Sequence, residues 1–84
     1  MNTALIFPNP VNNIAWLAME MQQSTEATIT ILDSYGKLLN TLKKQFRKGS
    51  NMFQFEELSK LPTGIYLVRI KSGNDVNTQR VIVL

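Results

Sequence analysis

The sequence predicts an all-β fold, a seven-stranded immunoglobulin-like β-sandwich. Three observations carry this expectation. Turn-forming clusters recur along the chain at intervals of about 8–12 residues, the rhythm of short strands in a sandwich. From Glu26 to Leu32 the side chains alternate, with Ala27, Ile29 and Ile31 on one face and Thr28 and Thr30 on the other. That is the period of a half-buried strand. The stretch Leu61–Ile70 runs from a turn straight into residues that favour a pleated, buried surface.

Leu61–Ile70 organises the rest. Pro62 fixes its own φ and lacks a backbone donor, so it suits the first corner of a turn. Gly64 is expected to close that turn with a positive φ. Beyond it, Ile65 and Leu67 point one way, and Tyr66, Val68 and Ile70 the other. Apolar groups on both faces suit a strand inside a sheet rather than at its margin.

The remaining elements follow in order. Ala4–Phe7 reads as a first strand, ended by Pro8, Asn9 and Pro10. Each residue before a proline avoids the α region, so this segment is extended or turned. Ile14–Met21 is richer in helix formers, but Ala15, Leu17, Met19 and Met21 fall on one face of a strand. The strand is preferred because strands follow. Asp33-Ser34-Tyr35-Gly36 is a turn in which Asp33 bonds nearby backbone and Gly36 takes the left-handed conformation, closing a hairpin with a bulge. Lys37–Phe46 returns, with Leu38, Leu42 and Phe46 expected on one face. Lys48-Gly49-Ser50-Asn51 reads as the next turn and Met52–Phe55 as a short strand, with Phe53 and Phe55 facing one way. Glu56–Leu61 is a crossover with a helical turn, from which Leu58 plugs the core. Ser72-Gly73-Asn74-Asp75 turns the chain into a last strand, Val76–Leu84, expected at a sheet edge with unpaired backbone groups.

Composition excludes several classes of chemistry. The 84 residues contain neither cysteine nor histidine, which removes disulfides, thiolate metal sites and the commonest catalytic base. No cofactor is expected. Adjacent Glu56 and Glu57 would point to opposite faces of a strand and suit a solvated crossover better than a catalytic pair. Asp33, Asp75 and Glu26 lie near turns without calcium-loop spacing. Leu61-Pro62-Thr63-Gly64 lacks the intervening residue and the apolar tail of a Gram-positive sortase signal, and reads as a turn. No apolar run is long enough to span a bilayer, and the first residues lack the basic start of a signal peptide. The net charge of +3 includes a cluster of Lys43, Lys44, Arg47 and Lys48. Only Phe46 interleaves with it, so a solvated strand edge is favoured over a nucleic-acid surface, with an anionic partner such as lipopolysaccharide as the alternative.

Three motif groups together resemble a known family. They are Phe7-Pro8-Asn9-Pro10-Val11, then Ile29-x-Ile31-x-Asp33-x-x-Gly36-Lys37, then Leu58-x-x-Leu61-Pro62-x-Gly64-Ile65-Tyr66-x-Val68-Arg69. In this order and spacing the chain is similar, over about residues 5–84, to the C-terminal sorting domain (type A) of the type IX, or Por, secretion system. The resemblance implies one sorting domain over residues 1–84, carried behind a larger exported cargo. It also implies a seven-stranded immunoglobulin-like sandwich that is handled by other proteins rather than acting as an enzyme. The implied partners are the outer-membrane shuttle and sortase proteins and the upstream cargo domain, with anionic lipopolysaccharide as the anchor of the cargo. No nucleic acid is implied. The implied route runs through the periplasm to the outer-membrane surface or the medium. Carried over by motif, translocon recognition falls on Gly64, Tyr66, Arg80, Val81, Ile82, Val83 and Leu84. Pro8, Asn9, Pro10, Asp33 and Gly36 match motif positions whose role is expected to be turn geometry. Many members end on a basic residue, and this chain ends on Leu84.

Two further expectations complete the reading. An exposed last strand predicts docking by strand addition or by insertion into an apolar pocket, and a homodimer or strand exchange through that edge at high concentration. The rival function is an immunoglobulin-like adhesion or carbohydrate-binding module, for which Trp16, Tyr35 and Tyr66 are the candidate aromatics.

Overall fold

A computed structural model describes residues 2–84. The strands are β1 (Thr3–Phe7), β2 (Trp16–Met21), β3 (Thr25–Asp33), β4 (Leu38–Phe46), β5 (Gly49–Gln54), β6 (Gly64–Ser72) and β7 (Asp75–Val83). A single helical turn, α1 (Glu56–Ser59), lies between β5 and β6. The strands form two antiparallel sheets, ordered β1-β2-β5 and β4-β3-β6-β7. The expected all-β sandwich is the fold, and β6 sits inside its sheet, flanked by β3 and β7.

Alternation decides the core. Ile6, Leu17, Met19 and Met21 are buried from the smaller sheet. Ala27, Ile29, Ile31, Tyr66, Val68, Ile70, Val81 and Val83 are buried from the larger one. Burying each large apolar side chain contributes about 1.5–3 kcal/mol, so the layer between the sheets supplies most of the favourable energy. Of the expected Ile14–Met21, the stretch Trp16–Met21 forms a strand and not a helix because its alternating residues meet this layer, and β1 and β5 pair with it on both sides. Leu58 is fully buried, as expected of a plug carried on α1. Phe53 bridges the aromatic end of the core, with ring centroids 5.8 Å from Phe46 and 6.1 Å from Phe55.

Four local expectations need correction. Gly64 begins β6 without a positive φ; Gly36, Gly49 and Gly73 are the glycines that have one. Ser50 and Asn51 are not turn residues but lie within β5, leaving Arg47 and Lys48 as the link from β4. Leu38 does not share a face with Leu42 and Phe46. Ile31 pairs with Asn40 and Leu32 with Leu38, so the bulge at Leu39 moves Leu38 to the outer face. Finally, β7 is at a sheet edge, but the second half of that edge is not unpaired.

Candidate recognition site

The final strand is closed over by the segment that follows β1. The side chain of Asn9 does two jobs there. Its Nδ2 donates to the Arg80 carbonyl at 2.9 Å, and its Oδ1 accepts from the Ile82 amide at 3.0 Å. A single primary amide thus imitates a neighbouring strand, because it carries one donor side and one acceptor side. Val11 continues the contact. Its amide donates to the Ile82 carbonyl at 2.7 Å, and its carbonyl accepts from the Leu84 amide at 2.8 Å. Val11 and Val83 form a parallel bridge, and both side chains are buried. Pro8 and Pro10 bring no N–H to this segment, so they add no donor that would need a partner. The peptide bonds preceding both prolines are cis.

The first half of β7 is tied to β1 across the gap between the sheets. The Ile6 amide donates to Gln79 Oε1 at 3.2 Å, and Gln79 Nε2 donates to the Ala4 carbonyl. At the far end Asn2 Nδ2 donates to Ser72 Oγ at 3.1 Å, and Asn2 Oδ1 accepts from the Gln22 amide at 2.9 Å. Asn2, Asn9 and Gln79 therefore join two sheet edges that would otherwise expose main-chain groups. Sequence reasoning assigned Pro8, Asn9 and Pro10 to turn geometry, placed Val11 in the same motif without a contact of its own, and gave Gln79 no role. Gln79 does leave a signal. It occupies the inward parity shared with Val81 and Val83, where an unpaired polar group would be costly.

Asp33 and Gly36 do serve turn geometry. Asp33 Oδ1 accepts from the Tyr35 and Lys37 amides, each at 2.9 Å. The Gly36 amide donates to the Asp33 carbonyl at 3.0 Å, with φ at +87°. That φ is what a side chain would resist.

Gly64 and Tyr66 form one unit. The Tyr66 hydroxyl donates to the Pro62 carbonyl at 2.6 Å, so the ring folds back over the start of β6. A Cβ on Gly64 would lie 3.4 Å from that hydroxyl, an ordinary contact. Tyr66, Val81 and Val83 are interior. The residues expected to carry recognition thus divide. Gly64, Tyr66, Val81 and Val83 hold the sheet together, while Arg80, Ile82 and Leu84 reach the surface.

The outer face of the larger sheet collects those surface residues. Ile65 pairs with Ile82, Leu67 with Arg80, Arg69 with Thr78 and Lys71 with Val76. On the other flank Leu32 pairs with both Leu67 and Leu38. One end of this face is apolar, and its middle carries Arg69 and Arg80. The basic cluster beside it is not one patch. Lys43 faces outward opposite Thr28, whereas Lys44 points inward with Nζ 3.9 Å from the Phe53 ring centroid. The candidate aromatics are not gathered either. Trp16 is on the smaller sheet, Tyr35 is exposed in the β3–β4 turn, and Tyr66 is buried.

A family model described as the secretion system C-terminal sorting domain matches residues 5–84. This chain belongs to that family. Among solved structures, the sorting domain is similar to one described as dimeric latent PorU from Porphyromonas gingivalis, with a TM-score of 0.75 and 22% identity. The likeness covers 100% of this chain and 9% of that one. It is also similar to PorZ, an essential surface component of the type IX secretion system of the same organism, with a TM-score of 0.59 and 16% identity over 96% of this chain and 11% of that one. At these identities the two structures attest the fold. No match is found among curated proteins. The sorting domain is a type IX secretion signal, and its family is not itself catalytic. A protein carrying it is a secreted protein, and no helix among the described residues is long and apolar enough to cross a membrane.

Proposed function

We propose that residues 1–84 act as one sorting domain, which takes an attached cargo from the periplasm through the type IX outer-membrane translocon. A surface sortase then removes the domain and joins the cargo to anionic lipopolysaccharide. The domain itself is a substrate and ligand, not an enzyme. The observation that carries this reading is the family match, which extends over both sheets and includes the strand whose outer side chains remain accessible.

The geometry favours one mode of recognition. Asn9 and Val11 already satisfy the main chain of Arg80, Ile82 and Leu84, so the machinery reads side chains on the outer face rather than adding a strand there. Arg80 supplies charge, and Ile65, Ile82 and Leu84 supply apolar surface. Gly64, Tyr66, Val81 and Val83 act indirectly, by keeping β6 and β7 flat against the core.

A reporter fused ahead of the domain in a type IX-competent host tests this. The native domain is expected to bring the reporter to the surface or medium. Arg80→Glu with Leu84→Ser is expected to leave it in the periplasm while the purified domain keeps its β-type circular dichroism. Export of that variant at the native level would overturn the outer-face reading. Retention of the native fusion would overturn the sorting reading itself. Deleting residues 81–84 is a poorer test, because it removes two core valines along with the surface contacts.

A further inference from the structure

The sandwich treats its sheet edges unequally. β1 and β7 are joined through Gln79, Asn9 and Val11. β5 is short, and Asn51 ties its start to the preceding link: Asn51 Nδ2 donates to the Arg47 carbonyl at 2.7 Å and Oδ1 accepts from the Arg47 amide at 3.0 Å. β4 has no such cover. It is nine residues long and pairs with β3 alone. Among the described residues, the one hydrogen bond that reaches its main chain from outside that pairing comes from its own Gln45 side chain.

The side chains state what could lie alongside. Seven of the nine β4 residues are exposed. Leu38 and Leu39 make the first half apolar, with relative exposures of 57% and 39%. From Lys37 to Lys48 the strand and its flanks carry Lys37, Lys43, Lys44, Arg47 and Lys48 and no carboxylate. On the neighbouring strand Glu26 faces Gln45. A second copy laid edge to edge would set one run of cations beside another, and like charges across a ladder are destabilising. An extended segment with apolar residues against Leu38 and Leu39 and carboxylates near Lys37 and Lys43 has no such conflict.

We infer that β4 is an acceptor edge, where an extended acidic segment of a partner protein adds as a fifth strand to the larger sheet. Main-chain hydrogen bonds would hold the partner, and the lysines would select its charge. This site is separate from the outer face of β7 and does not rest on the reading given for that face.

The test is a titration of the isotope-labelled chain, followed by amide shifts, with a short blocked peptide alternating valine and glutamate. Shifts are expected in β4 and in its neighbour β3, with β7 unchanged. Lys37→Glu with Lys43→Glu, which leaves the Lys44–Phe53 contact in place, is expected to weaken binding about tenfold, an effect that shrinks as salt rises. The same peptide N-methylated at alternate residues keeps its charge but cannot form the ladder, and is expected not to bind. Equal binding of the methylated peptide would overturn strand addition. Shifts centred on β7, or no shifts, would overturn the choice of edge. Self-association of the unliganded chain through β4 would overturn the choice of occupant.

Discussion

The two outer strands of the larger sheet, β7 and β4, face the same physical problem and meet it in opposite ways. Each leaves one side of its main chain without a strand partner. β7 is closed by parts of the chain distant in sequence: Asn9 and Val11 over its second half, and the Gln79 amide bridging to β1 over its first. β4 is left open and surrounded with positive charge instead. Specific hydrogen bonds make β7 part of the rigid sandwich. Charge leaves β4 soluble but available. An apolar edge can therefore be protected either by satisfying its backbone or by making self-pairing unfavourable, and only the second choice keeps it receptive.

This contrast can be broken most severely at Val11. Val11→Asp places a carboxylate at a position only 1% exposed and disrupts the bridge to Val83. The expected cost is about 3–5 kcal/mol, enough to unfold much of a small domain, and urea denaturation measures it. A stable Val11→Asp variant would mean that the closure contributes little.

A smaller effect separates the halves of the closure. Gln79→Ala removes the partners of the Ile6 amide and the Ala4 carbonyl and is expected to cost about 1–3 kcal/mol. Asn9→Ala, at an exposed site, is expected to cost about 0.5–1.5 kcal/mol. It should also speed hydrogen exchange at the Ile82 amide while leaving Ile6 protected. Equal loss of protection at both amides would show the closure to be one cooperative unit.

The smallest effect belongs to the open edge. Leu39→Glu sits at the exposed bulge and is expected to change stability by less than about 0.5 kcal/mol. A larger loss by thermal denaturation would show that β4 carries more of the fold than its exposure implies.

Legibility differed in the same way along the chain. The alternation Ala27, Ile29, Ile31 and the inward set Tyr66, Val68, Ile70 were readable because burial follows strand parity directly. So was Leu58, a large apolar residue between the charged and polar residues of the crossover. Leu38 was misplaced because a bulge breaks parity, and one extra residue leaves no mark in composition. Gly64 was given a turn role from its neighbour Pro62, when its place is beneath the Tyr66 ring. For the recognition set, motif spacing named the residues but could not say which faced outward.

The sequence by itself determined the sandwich, its strand count, the turn at Asp33–Gly36 and the family, because these rest on local propensity and on periodic burial. Only the tertiary structure decided that Asn9 meets Arg80 and Ile82, that Gln79 reaches β1, and that the long edge of β4 stays open. Such contacts join residues some seventy positions apart. Their partners are chosen by how two sheets stack, and no local pattern encodes that distance.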